Sequence, residues 1–262
     1  MNDRLRLSFL GRYYRRVEGG SEAPGFRWEA LDLPVEQAAF LLVDVQSGYE
    51  GEKVEEDASP LGRWWREATG RIAQAQLAAR GVGMPIVYAN NSAPRVGIGH
   101  SEFGAHFRRS WGVDFDECFA EGGVDAREYH GGRAGRMAFP DELRPQEQDY
   151  LVRKHAYSAF YDSRLDSLLR NLGTRTLICA GIWADCCLLT TSLDALYRNY
   201  RVVWLRDGTM AGEDPGDEKE MPFTRRMIRW FETAVGFSVT CEEFVQACNA
   251  LRNGVVQEGG SA

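Results

Sequence analysis

The chain has 262 residues, 44% hydrophobic and 26% charged, with thirteen Phe, ten Tyr and seven Trp. That composition suits a soluble globule with ample core material and excludes a disordered tail. No apolar stretch approaches the roughly 20 residues of a membrane span, and a formal net charge of −7 argues against general nucleic-acid binding.

Residues 1–37 are polar and interrupted by glycine, and they read as an N-terminal extension. Its basic start is expected to be a flexible arm, because it lacks the apolar centre of a secretory leader. The six cysteines include no CxxC pair. Free thiols in a reducing cytoplasm are therefore expected.

From residue 38 onward, apolar runs alternate with helical patterns. Ala38–Val45 is apolar except for Asp44, as suits a strand buried on both faces of a parallel sheet. Residues 59–80 read as a helix broken by Gly81 and Gly83, and Pro85–Ala89 as a second strand. Asp149–Lys154 is a third strand, 162–172 a helix closed by Gly173, and Thr176–Gly181 a fourth strand. Cys187–Asn199 carries Leu188, Leu189, Leu193 and Leu196 near helical spacing. Arg201–Arg206 is a fifth strand, 218–234 a helix and Phe237–Thr240 a short last strand. Such alternation builds βαβ units. The chain is therefore expected to hold one α/β domain over 38–262. The long connection 91–148, with His100, His106, Trp111 and Pro140, departs from that rhythm and reads as an inserted lid or oligomer contact.

Ligands bind open parallel sheets at the carboxyl ends of the strands. Asp44, Lys154 and Cys187 are the reactive residues placed there. Cys187 falls in the first turn of its helix, where unpaired N–H groups and the helix dipole favour a thiolate and an oxyanion. It is equally readable as a small hydrophobe at a strand–helix junction. Asp44 is a candidate acid or base, and equally a loop acid or cap, while Gln46 and Ser47 follow as possible supports. Lys154 would stabilise a neighbouring thiolate, but His155 is its rival, since Cys–His pairs are common. Successive strand residues point to opposite faces, so one of the two is expected to face the site. Gly131–Arg136 does not follow a strand and lacks the Lys-Ser/Thr of a phosphate loop. The four His are scattered without metal-ligand spacing, so neither metal nor cofactor is expected.

Three segments in order resemble one family, the isochorismatase-like cysteine hydrolases, over roughly residues 38–240. Phe40–Gln46 is similar to its first strand with catalytic acid and Gln. Val152–Phe160 is similar to its Lys segment with a downstream Ser158 and Phe160. Gly181–Cys187, followed by Thr191, Asp194 and Ala195, is similar to its nucleophile turn and helix. The resemblance implies a Rossmann-like three-layer αβα sandwich with a mostly parallel sheet of about six strands. It places Cys187, not Cys186, on the nucleophile and Lys154, not His155, on the lysine, with Asp44 as the acid. It also implies a non-proline cis peptide at Ile182–Trp183, with Ile182, Trp183 and Cys187 supplying the oxyanion backbone.

Trp183 and Ala184 depart from many relatives, so the pocket is expected to be reshaped. The nicotinamidase branch carries an acid and two His after its second strand. Tyr88–Pro94 has none of these, so a metal-free member is expected. The presence of Cys187 also sets the chain apart from true isochorismatases, which lack the cysteine. The implied reaction is hydrolysis of a small linear amide, an N-carbamoyl or ureido compound, through a thioester, with Asn90, Asn91, Arg95, Tyr157, Phe160 and Trp183 around the substrate. The partners implied are that substrate, water and a second or fourth copy of the chain as homodimer or homotetramer, with no nucleic acid or membrane. The alternative reading is a non-catalytic binding or assembly module of the same fold.

Overall fold

The computed structural model describes residues 3–16, 22–45, 60–91, 102, 105, 106, 109, 139–154, 156–214, 216, 217 and 219–254. Strand β3 (Ala38–Val43) is followed by helix α1 (Pro60–Gly81), β4 (Ile86–Asn91) and β5 (Tyr150–Lys154). Then come α2 (Leu165–Asn171), β6 (Thr176–Gly181), α3 (Cys187–Tyr197), β7 (Arg201–Leu205), α4 (Pro222–Ala234), β8 (Phe237–Val239) and α5 (Cys241–Arg252). The six strands β3–β8 form one parallel sheet in the order β5-β4-β3-β6-β7-β8.

Strand alternation divides the core into two layers. Phe40, Leu42, Ile86, Tyr88, Ile178, Ala180, Val203 and Leu205 face α1 and α5. Their neighbours Ala39, Leu41, Val43, Val87, Ala89, Leu177, Cys179, Val202 and Trp204 face α2, α3 and α4. The result is the three-layer sandwich that the resemblance implied, built from the βαβ units that the alternating pattern implied. The terminal signals are local. Pro222 sits at the start of α4, where its missing N–H costs nothing. Thr240 and Glu243 close a reciprocal capping box at α5. That TxxE pattern was available in the sequence, yet α5 was not among the expected helices.

The N-terminal region differs from the flexible arm expected of it. β1 (Arg4–Arg16) and β2 (Glu22–Pro34) pair in an antiparallel hairpin, with Leu5 opposite Leu33 and Leu10 opposite Trp28. Leu5, Leu7, Phe9, Leu33 and Val35 are buried and join the α1/α5 layer. Phe9 meets Phe237 edge-on at 4.6 Å, and Arg12 pairs with Glu232 of α4. The alternation of Leu5, Leu7 and Phe9 with Arg6 and Ser8 is the period-2 signature of a half-buried strand, and it was available in the sequence. Most of 91–148, the segment expected to be a lid or oligomer contact, lies outside the described residues. Its last part packs on the sheet: the Tyr88 hydroxyl donates to the Leu143 carbonyl at 2.8 Å. Among the described residues, no helix is long and apolar enough to cross a membrane.

Candidate active site

The strand order reverses between β3 and β6, so a crevice opens where the connections leave the sheet in opposite directions. The chain at this point is tightly stitched. The Ile182 N–H donates to the Val43 carbonyl at 3.0 Å, and the Asp44 N–H to the Ala89 carbonyl at 3.0 Å. Gly181 is required by that approach. Its φ is +119°, and a Cβ there would lie 1.9 Å from the Val43 oxygen. Asp44 itself adopts a left-handed conformation, φ 50°, which turns its side chain out of the strand's alternation.

Asp44 follows β3, Lys154 ends β5 and Cys187 opens α3, and all three side chains are buried. Lys154 reaches across the end of β4. Its Nζ lies 2.7 Å from Asp44 Oδ2 and donates to Cys187 Sγ at 3.4 Å and to the Ala156 carbonyl at 3.0 Å. The ammonium is thus enclosed by one ion pair and two hydrogen bonds. Along β5, Val152 and Lys154 are buried while Arg153 between them is only partly so, which puts Lys154 on the inward face. His155 lies outside the described residues.

The charges act on one another. Burial works to lower the Lys154 pKa, but the Asp44 carboxylate and the Cys187 sulfur more than offset it, so the ammonium is held above the ordinary lysine value. A hydrogen bond with the Cys186 thiol and burial push the Cys187 thiol well above the ordinary range, against the pull of the Lys154 charge. Those two influences favour the protonated sulfur beside the Lys154–Asp44 ion pair. Cys186 had no part in the sequence-based site, and adjacency to Cys187 was the only signal for it.

The Ile182–Trp183 peptide bond is cis. The Cys186 and Leu188 N–H groups both donate to the Trp183 carbonyl, at 3.0 and 3.1 Å. The Cys187 N–H between them has no acceptor among the described residues. It remains a donor for an incoming oxygen. Ile182 is a correction: its N–H is taken by Val43, so it cannot serve as an oxyanion donor.

The surrounding candidates separate. Asn90 is buried beside the cluster's strand ends, and Trp183 is half-buried against the α1 layer. Tyr157 is half-buried against the α3 layer. Phe160 lies in the turn that follows Lys154. It is buried, with its ring 5.8 Å from Tyr200 and under the Arg198 guanidinium at 5.1 Å, and it packs the turn against the end of α3. The backbone of Asn91 closes β4 opposite Lys154, and Arg95 lies outside the described residues. Asp185 was missed. Burial raises its carboxyl, which accepts the Gly212 N–H at 3.2 Å and ties the nucleophile turn to the loop after β7. Among the described residues, no group of three His, Cys, Asp or Glu side chains is placed to hold a metal ion.

A doubly wound α/β sheet with a carboxylate, an ammonium and a helix-start thiol in contact at its switch point defines the class of this protein. The family described as the Isochorismatase domain matches residues 38–233, and the chain belongs to that family. It is similar to a ureidoacrylate amidohydrolase of Stutzerimonas stutzeri, 28% identical over 235 residues, 84% of this chain and 88% of that one. Among solved structures, the N-carbamoylsarcosine amidase of Thermoplasma acidophilum superposes with a TM-score of 0.54 at 27% identity, covering 79% of this chain and 97% of its own. A cysteine hydrolase from Pseudomonas syringae pv. phaseolicola gives 0.65 at 19% identity, covering 84% and 95%, and bears on the fold alone.

Proposed function

We propose that this protein is a cysteine amidohydrolase that cleaves the carbon–nitrogen bond of a small linear amide without calling on a metal, and that its substrate is an N-carbamoyl or ureido compound. One observation carries the reading: a buried ammonium touches a carboxylate at 2.7 Å and a helix-start sulfur at 3.4 Å. The names of the ureidoacrylate and N-carbamoylsarcosine relatives point to the substrate class.

In this reading, Asp44 takes the Cys187 thiol proton as the sulfur attacks the carbonyl carbon. The carbon–sulfur bond forms and the carbonyl π pair moves to oxygen. The Cys187 N–H, with the Trp183 N–H, receives that oxyanion; one such donor is worth about 2.7–4 kcal/mol. Collapse breaks the carbon–nitrogen bond, and Asp44 returns the proton to the leaving nitrogen. A thioester remains. Asp44 then takes a proton from water as its oxygen attacks the thioester. Collapse expels the sulfur, which regains the proton, and releases an acid or a carbamic acid that falls to carbon dioxide and ammonia. Lys154 stays charged throughout, facing whichever of Asp44 and Cys187 is negative. Asn90, Asn91, Tyr157 and Trp183 border the substrate, and Arg95 meets a substrate carboxylate.

An ammonia-release screen over ureas, carbamoyl amino acids, ureidoacrylate and simple amides tests this. The expected result is turnover of at least one ureido or carbamoyl compound, abolished in Cys187→Ser with an unchanged circular-dichroism spectrum. Near-normal turnover by that variant refutes the mechanism. Iodoacetamide labelling of Cys187 that substrate does not slow would favour the binding module.

A further inference from the structure

The ammonium that joins the cluster has a third acceptor, the Ala156 carbonyl, and this belongs to no strand or helix. It lies at the start of an irregular turn. An isolated turn would leave that carbonyl free to wander, yet Ser158, Ala159 and Phe160 are buried. What holds them is one face of α3. The Ala159 N–H donates to Thr191 Oγ1 at 3.0 Å, and the Ser158 hydroxyl donates to Asp194 Oδ2. The Phe160 N–H donates to Ser158 Oγ at 3.1 Å. Arg198 donates to Asp194 Oδ1 at 3.0 Å and covers the Phe160 ring. Cys187, Thr191, Asp194 and Arg198 follow the i, i+4, i+7, i+11 spacing of a single helical stripe. The nucleophile and the grip on the turn therefore share one rigid element.

We infer that Ser158 and Asp194 are positioning residues: by clamping the 156–160 turn onto α3 they fix the Ala156 carbonyl, and through it hold the Lys154 ammonium against the Cys187 sulfur. The inference rests on the thiol–ammonium reading of the site given above. Neither residue touches the reacting atoms. If the clamp is released, the ammonium loses a fixed acceptor and turns toward Asp44, and the sulfur loses the charge that stabilises its anion. The groups facing that sulfur are Lys154 from β5, Asp44 from β3 and Cys186 from its own turn.

The test is the rate of Cys187 carboxamidomethylation by iodoacetamide, followed on its peptide by mass spectrometry from pH 6 to 10 in the full-length chain. Asp194→Ala and Ser158→Ala are expected to displace the rising limb of the pH–rate curve upward by about one pH unit, which slows labelling at pH 7.5 about tenfold. Ser158→Thr, which keeps the hydroxyl, is expected to restore the parent curve. On a Lys154→Met background, Asp194→Ala is expected to add no further slowing, because its effect passes through the lysine. A folded Ser158→Ala with the parent pH–rate curve overturns the inference, as does full slowing by Asp194→Ala on the Lys154→Met background. If Asp194→Ala does not fold, the Ser158 pair decides alone. The readout uses no substrate, so failure of the ammonia screen and failure of the clamp are separate results.

Discussion

Cys179 and Cys187 lie in the same layer of the core, both buried, with one strand end between them. Cys179 sits inside β6, where burial alone raises its thiol far above the ordinary range. Cys187 is as deeply enclosed, but a lysine and an aspartate reach its sulfur. Burial therefore does not make a nucleophile, and it does not prevent one. What separates the two sites is the polar company that only the crevice at the strand ends admits.

The largest expected difference between them is in activity. Cys187→Ser is expected to lower kcat for the substrate found in the screen by about a thousandfold or more, as removal of a covalent nucleophile does. Cys179→Ala is expected to leave kcat within about twofold and to cost on the order of 1 kcal/mol of stability. Steady-state kinetics and urea unfolding check the pair. If Cys179→Ala abolished turnover with the fold intact, the two sites would not differ as proposed.

Next comes the polar company itself. Lys154→Met keeps the length of the side chain but leaves the Asp44 carboxylate buried without its cation. That is expected to cost about 3–5 kcal/mol in urea unfolding. Adding Asp44→Leu is expected to recover most of this loss while activity stays absent, because a buried ion pair replaced by apolar groups is often neutral. Failure of the double variant to regain stability would mean that the pair stabilises the fold instead of only serving the site.

How much of this was legible beforehand follows from the range of each signal. Asp44 and Cys187 end or follow apolar runs, so the rule that ligands bind at the carboxyl ends of parallel strands marked them as candidates, and the strand order of the folded sheet is what brings them near each other. Lys154 against His155 was not decidable locally, since the choice depends on which face of β5 is inward. The resemblance made that choice, and in the folded chain Lys154 is buried at the end of β5. The Ser158–Asp194 clamp joins residues far apart in sequence through hydroxyl and carboxylate groups that carry no periodic signal. The hairpin's alternation was legible in Leu5, Leu7 and Phe9, but Gly11 and the many charges of residues 1–37 favoured a polar extension over a strand pair. The Ile182 N–H could not be assigned without the β3–β6 register, which takes it for Val43.

The smallest effect uses alkaline pH to compare the buried thiols as equals. Burial raises Cys179, Cys241 and Cys248, the last to about 12, and the Cys186 hydrogen bond with burial raises Cys187. In the unfolded chain each thiol ionises near 8.5. Above that pH the unfolded state binds fewer protons than the folded state, so stability falls as pH rises. Each thiol contributes a slope of about 1.4 kcal/mol per pH unit. Lys154 adds to the same trend above about 10.4, where the unfolded lysine loses its proton and the folded ion pair keeps it. Urea unfolding under reducing conditions between pH 8.5 and 10 is expected to show this decline. Cys179→Ala and Cys187→Ser should each flatten it by about one proton. A Cys187→Ser curve as steep as the parent, beside a flatter Cys179→Ala curve, would mean that the nucleophile already ionises in the folded state near the ordinary thiol value, and that Lys154 outweighs both Cys186 and burial.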